Sequence, residues 1–493
     1  MDIKQAVVAA PSICDFYFTP ERASALGAIA VKDQLEKLGI NAPVFNLPLL
    51  KPRGREIPIP ESHLHLKPFI LRGERGPVSF FSRYKRFGPD PSESAQLILR
   101  NNPQIVFISL FAWAYGEEAL ALAGEIRAIG GMDILIIIGG PGAAVLPEYF
   151  YNSRLFDFVS TGDGEDEIPK LIKAIKEDSL TDLSSSRVIS QNSPAPALSF
   201  RKDQKGKQWL SMTLSKGCPL LCQFCSNFLT QGRVFRSTPL NALKEELNQL
   251  PVNRTENLHI TLEDDNLLVS KSYFTELLEM IKEIFPLSTF SIDNGLDYTN
   301  MTIEFVDYLV TMGFNSFTLS LGSSDRETLK KEKRPGNFRK LEEILAHLHS
   351  RNIPVSTFLI CGLPEDSRES IISSLIYLHN LPTEIGISLF YPVPGIPRFE
   401  DKQIFLNRVP SLCCGSSAFP WGQSLSTEEM VTFFRLARLS NFFNKNNKST
   451  EEMELMTIIQ SEKRLHTLQG KSKRIIAVPH MADSLVKDFL SRL

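Results

Sequence analysis

Three cysteines stand close together in the middle of the chain: Cys218, Cys222 and Cys225, within Gly-Cys-Pro-Leu-Leu-Cys-Gln-Phe-Cys-Ser. Three thiolates at C-x3-C-x2-C spacing on one short loop suit three irons of a four-iron cluster. The fourth iron is then left for a small molecule to bind directly. Electron-transfer clusters take four cysteines, the fourth lying close by or later in the chain. Here only Cys361, Cys413 and Cys414 follow, and none continues the spacing. Two other readings stand beside this one. A structural zinc site closes with four ligands, commonly from paired C-x2-C units, and the nearest histidine, His259, ends a different segment. Purely structural thiols are the third reading, but those are ordinarily dispersed.

The loop must be delivered by a framework, and the hydrophobic pattern supplies one. Residues 1–178 alternate strand and helix signals. Ala6–Ala10, Val44–Asn46, Ile105–Leu110, Ile134–Ile138 and Phe156–Ser160 read as strands, with helical periodicity over Ala23–Leu38 and Glu117–Ile129. Residues 50–92, rich in Pro, Arg and Gly, read as an insertion. Five strands in this rhythm predict a flavodoxin-like doubly wound α/β sheet, which binds ligands beyond the carboxyl ends of its strands. Residues 179–206 are linker-like in composition. Over 207–400, strands at Trp209–Leu214, Leu258–Leu262, Ser288–Ile292, Ser316–Leu321, Pro354–Ile360 and Glu384–Tyr391 alternate with helices. They predict a partial (β/α)6 barrel with its site at the carboxyl ends, where the cysteine loop falls. Residues 401–493 read as a mainly helical region that shapes the substrate pocket, with a late strand at Ile475–Val478.

Composition bounds the function. The chain has 493 residues, 43% hydrophobic and 22% charged, with a net charge of -2; it reads as two to three globular domains without a nucleic-acid footprint. No apolar run reaches membrane-spanning length. Seven cysteines, three of them clustered, argue for a reducing, cytoplasmic compartment.

The cysteine motif, with Gly217 before it and Phe224 ahead of the last cysteine, resembles the signature of radical S-adenosylmethionine (SAM) enzymes. Motifs at the barrel strand ends extend the resemblance. Glu263-Asp264-Asp265-Asn266 stands where that family presents a polar cluster, which implies cofactor contacts from Glu263 and Asp265; a solvated strand end with a helix cap is the plain alternative. Asn294 after the third barrel strand, Gly362 and Glu365 in the turn after the fifth, and Tyr391-Pro-Val-Pro-Gly395 after the sixth match cobalamin-dependent members. Gly322-Ser323-Ser324 departs from the family's Gly-x-Glu-Ser, so the usual carboxylate is absent there. Lys333 and Arg334, or Arg233 and Arg236, are candidates to hold an anionic cofactor group.

The N-terminal region resembles the cobalamin-binding domain of the same enzymes. Ser109-Leu110 and Gly139-Gly140 match the two later elements of the cobalamin signature, and Gly162-Asp163-Gly164-Glu165 its last turn. The first element, Asp-x-His-x-x-Gly, is missing from Ser12–Phe18, which leaves two outcomes: cobalamin bound with no histidine below the cobalt, or a domain that no longer binds it; His63 falls after the second strand and reads as a surface residue. The resemblance implies a [4Fe-4S] cluster, SAM and cobalamin, and an electron donor of flavodoxin or ferredoxin type. It implies radical methylation of an unactivated carbon in a small-molecule substrate, with cyclisation, oxidation or rearrangement as alternatives and a non-catalytic cobalamin- or redox-responsive protein as a remoter one. A methylthiotransferase would need further N-terminal cysteines, and only Cys14 is there. No catalytic base is named by the sequence. Phe111, Trp113 and Tyr115 follow the third strand and read as core packing, with lining of the domain interface as the alternative, and Cys413-Cys414 read as buried small residues.

Overall fold

The structure, a computed structural model, describes residues 3–20, 23–70, 78–180, 189–203, 205–446 and 481–493. Five short strands build its N-terminal sheet: β1 Ala6–Ala10, β2 Val44–Asn46, β3 Ile105–Ser109, β4 Leu135–Gly139 and β5 Phe158–Val159. All pairings are parallel and the spatial order is 2-1-3-4-5, the flavodoxin-like order. β1, β3 and β4 are runs of Val, Ile and Ala because helices cover both faces. Helices Leu26–Lys37 and Gly164–Lys176 bring Ala28, Leu35, Ile168 and Leu171 to one face. Pro91–Leu99 and Gly116–Gly130 bring Ile98, Ala119, Leu122 and Ile126 to the other.

The second unit has six parallel strands. β7 Gln208–Thr213, β8 Leu258–Leu262 and β9 Ser288–Ser291 follow an edge strand, β6 Ala197–Lys202. β10 Phe317–Gly322, β11 Val355–Cys361 and β12 Glu384–Leu389 complete the series. In register, Leu210 faces Ile260 and Ile260 faces Phe290. Among the described residues the two triplets are joined by the isolated bridges Phe290–Phe314 and Leu296–Leu319, so the barrel is partial. β6 corrects the linker assignment of 179–206: it pairs antiparallel with β7 across a tight turn. Gly206, at φ +84°, permits that turn, and Asp203 N donates to Lys207 O. Two strands joined this closely pair locally, whatever the polar composition around them.

The described residues of 50–92 form an arm. Ile13–Asp15, Arg55–Glu56 and Lys85–Phe87 form a small antiparallel sheet. The arm is strapped to the C-terminal helix Thr427–Asn446 by Arg435, wholly buried, whose guanidinium donates to Val78 O and Phe69 O. His63 is not on the surface: it is fully buried among Phe16, Tyr84 and His65, and burial pushes its pKa down to about 4. The strand expected at Ile475–Val478 lies outside the described residues. Among the described residues, no helix is long and apolar enough to cross a membrane.

Candidate functional site

The cysteine loop is tied at its stem. Ser215-Lys216 pairs antiparallel with Arg236-Ser237, closing the chain between them into a loop. Gly217, at φ +87°, sits so tightly that a Cβ there would lie 2.1 Å from Val234 O; only glycine fits. Asp264, at the end of β8, accepts from Leu214 N at 2.9 Å and Ser215 Oγ at 2.6 Å, fixing where the loop leaves its strand. Its Oδ2 is buried without a hydrogen-bond partner, and burial raises the carboxyl to about 7 despite those two donors.

Each thiol sulfur has a donor beside it. Asn266 Nδ2 lies 3.8 Å from Cys218 Sγ, Arg334 Nη1 3.9 Å from Cys222 Sγ, and Asn227 N 3.5 Å from Cys225 Sγ. No disulfide ties them up. Burial raises the Cys222 thiol, and takes that of Cys225 to about 11, so metal must displace protons on binding. Among the described residues, no group of three His, Cys, Asp or Glu side chains is drawn together as for a metal ion. The three thiols, each with a donor at hand, fit a cluster whose sulfurs are tuned by hydrogen bonds.

A cavity of about 750 Å3 lies between the two units. In the N-terminal unit its wall is a slot that includes Gly27, Ala30, Val31, Phe107, Ile137 and Ile168. Ser109, Gly139, Gly140 and Gly162 line the same slot. Glycine keeps this slot open: a Cβ on Gly27 would lie 3.2 Å from Ser109 Oγ, and one on Gly140, at φ +93°, 2.6 Å from Leu110 O. The barrel side contributes Thr213, Lys216, Gln231, Glu263, Asp293 and Asn294. Tyr17, Phe111 and Tyr391 expose 55%, 58% and 42% of their surface, and all three face this cavity. Phe111 lines the interface instead of packing in the core, Trp113 is core, and Tyr115, half-buried, packs against that core while also lining the cavity. Tyr115 is aimed by Asp15, which accepts its hydroxyl at 3.0 Å and also accepts from Phe16 N and Ser416 Oγ.

Charge joins the two units beside the cavity. Lys216 and Arg236 are cross-strand partners in the loop stem. Each reaches Asp163 at 3.2 Å, and Lys216 also reaches Glu165 at 3.0 Å. The turn Gly162–Glu165 thus grips both strands of the stem at once. Ser24 Oγ adds a second tie, donating to Glu263 Oε2 at 2.9 Å.

The structure brings Ser109, Gly139, Gly140, Gly162, Glu263 and Asn294 around one cavity. Asn294 Nδ2 also donates to Glu263 O at 3.2 Å. Asp265 stands by the cysteine loop, solvent-reachable yet closely surrounded by protein; burial lifts its carboxyl to about 6, opposed by Asn227 and Lys216. Phe224 packs against the core beneath. Gly362 and Glu365 are elsewhere. Asp366 Oδ2 accepts from Gly362 N at 2.9 Å, and Glu365 pairs with Lys331 at 3.0 Å. Of the cationic candidates, Arg334 reaches the cluster loop, while Arg236 is committed to Asp163 and Arg233 to Leu220 O. Gly27, Tyr17, Lys216 and Asp293 escaped the sequence reading. Lys216 and Asp293 come within three residues of the ends of β7 and β9, which the strand-end rule signals; Gly27 sits inside a helical pattern and Tyr17 in a loop, where nothing local marks them.

Residues 212–378 match the model of the radical SAM superfamily. They are a radical SAM domain. Bacteriochlorophyllide d C-12(1)-methyltransferase of Chlorobaculum tepidum is 24% identical over 218 residues, 42% of this chain and 45% of that protein. A tRNA-2-methylthio-N(6)-dimethylallyladenosine synthase of Buchnera aphidicola is 24% identical over 293 residues, 53% of this chain and 66% of that one. The match thus spans less than two thirds of either relative's length. Among solved structures, the radical SAM methyltransferase TsrM of Kitasatospora setae, determined with cobalamin and a [4Fe-4S] cluster, superposes with a TM-score of 0.56 at 14% identity. That superposition covers 80% of this chain and 77% of TsrM, so the shared fold reaches well beyond the radical SAM domain.

Proposed function

We propose that this protein is a radical SAM C-methylase that holds cobalamin in its N-terminal slot and methylates an unactivated carbon of a small molecule between the two units. One observation carries the reading: the glycine-lined slot and the stem of the cysteine loop open onto the same cavity. The barrel alone would serve many radical reactions, and the sheet alone many nucleotides; their common chamber favours methyl transfer.

When bound, the cluster, SAM and cobalamin supply hydrogen-atom abstraction and a transferable methyl group. The chain's own contribution is position. Cys218, Cys222 and Cys225 would hold the cluster, with Asp264 fixing their loop. Glu263, Asp265 and Asn294 offer acceptors and a donor for the amino and hydroxyl groups of SAM. Gly27, Gly139, Gly140 and Gly162 leave room for the nucleotide arm of cobalamin. Tyr17, Phe111 and Tyr391 wall the chamber against water.

The methylthiotransferase reading is disfavoured because Cys14 is the one cysteine in residues 1–178. Replacing Cys218, Cys222 and Cys225 together by Ala is expected to abolish bound iron and SAM cleavage while leaving the circular dichroism spectrum unchanged. Full cleavage by that variant would sink the proposal.

A further inference from the structure

We infer that the substrate is a flat, uncharged aromatic ring bearing an O–H or N–H group, seated on an aromatic wall built around Asp15. The inference rests on the methylase reading only for calling this ligand the substrate. Tyr17, Phe111 and Tyr391 stay exposed, and each lines the chamber together with Tyr115. Contacts join the four into one surface. Phe111 packs on Tyr115, their ring centroids 5.2 Å apart. Tyr115 donates its hydroxyl proton to Asp15 at 3.0 Å. Asp15 also accepts from Ser416 Oγ, and the Tyr391 ring lies against the neighbouring Gly415, where an added Cβ would touch it at 3.9 Å. Tyr17 follows Asp15 by two residues and is backed by Phe81, the rings stacked 5.1 Å apart with 9° between their planes. One buried carboxylate thus gathers rings from the segments after β1, β3 and β12.

Rings held in this way offer faces and edges, which favour another π system over an aliphatic skeleton of the same size. The charges beside the wall argue for a neutral ligand. Asp15 is occupied by Phe16 N, Ser416 Oγ and the Tyr115 hydroxyl, so the wall presents no bare anion to a cation. Among the described residues that line the chamber, the one cation is Lys216, and it is tied to Asp163 and Glu165. An anionic ring therefore finds no partner either. Tyr115 sets the polar requirement. Its proton is committed to Asp15, so its oxygen meets a ligand as an acceptor. A site built to accept one hydrogen bond selects a ring that can donate it.

Matched probes titrated calorimetrically into the full chain, loaded with cluster and cobalamin, test this. β-Naphthol has both the ring and the donor. Its methyl ether lacks the donor, decahydro-β-naphthol lacks the aromatic ring, and the trimethylammonium analogue carries a positive charge. β-Naphthol should bind about tenfold tighter than decahydro-β-naphthol, as two ring contacts imply. It should bind about fivefold tighter than the methyl ether, as one net hydrogen bond implies, and tighter than the cation. Tyr115→Phe should erase the preference over the ether and keep the preference for the aromatic ring. Phe111→Leu, at an exposed side chain where folding is not at stake, should shrink the aromatic preference and keep the other. Equal affinity for β-naphthol and its decahydro form, or tighter binding of the cation, would overturn the inference. So would β-naphthol binding that the unloaded chain shows and cobalamin loading abolishes, since the wall would then belong to the corrin. A chain that retains no cobalamin would remove the methylase reading instead, and the same probes on the unloaded protein would still judge the wall.

Discussion

Single atoms decide much of this site, and glycine positions do so most plainly. Gly140 has φ +93°, and an added Cβ would meet the Leu110 carbonyl at 2.6 Å. Backbone cannot step aside as a side chain does, so Gly140→Ala is expected to lower stability by about 1–3 kcal/mol and to weaken cobalamin retention, read by thermal melting and by desalting after loading. Asp366 provides a pH signature. It is buried and accepts from Gly362 N and Leu363 N, each at 2.9 Å, yet burial outweighs both and raises its carboxyl from 3.8 to about 7. A folded-state value above the unfolded one means that the folded protein keeps the proton longer. This group's contribution to stability is therefore complete below pH 3.8 and is lost as pH rises through about 7. Asp366→Asn should flatten that part of the profile, as urea midpoints from pH 5 to 8 would show. An unchanged slope would mean that Asp366 titrates normally. The cysteine spacing made the candidate cluster loop legible from sequence. The burial of His63 is not legible from sequence because the aromatic residues that bury it, Phe16 and Tyr84, are distant in sequence.

At the scale of elements, the cysteine loop is held between a strand end and a turn of the other unit. Asp163 takes Lys216 and Arg236 together, with side chains 9%, 16% and 6% exposed respectively. Removing its charge should leave Arg236 half-satisfied by Asn192 O and Gln231 O and Lys216 held by Glu165. Asp163→Asn is thus expected to keep SAM cleavage within about twofold while methyl transferred per SAM cleaved drops at least threefold, the drop being the sign of a loosened junction. A proportionate fall in both would show that the turn merely stabilises the fold. Sequence periodicity located the strands well, since buried parallel strands are short apolar runs. It missed β6 because Ala197–Lys202 lies in a Ser- and Pro-rich setting, and its pairing with β7 is fixed by the turn at Gly206. The Asp163 junction was equally hidden, since its partners are over fifty residues away along the chain.

At the scale of the molecule, two units that each have many uses elsewhere share one chamber. The N-terminal slot, the loop stem and the aromatic wall belong to segments far apart in sequence, and the arm at 50–92 and the C-terminal helix are bound together by Arg435. The chamber could not be read from sequence, because a strand-end motif says where a loop begins but not which loop of another unit faces it. Anaerobic reconstitution with iron, sulfide and hydroxocobalamin, followed by SAM turnover, tests the central claim most directly. The account expects cobalamin to survive desalting at about one per chain, with both 5′-deoxyadenosine and S-adenosylhomocysteine formed. Deoxyadenosine without retained cobalamin would contradict the methylase reading, and absence of any cluster would contradict the whole account.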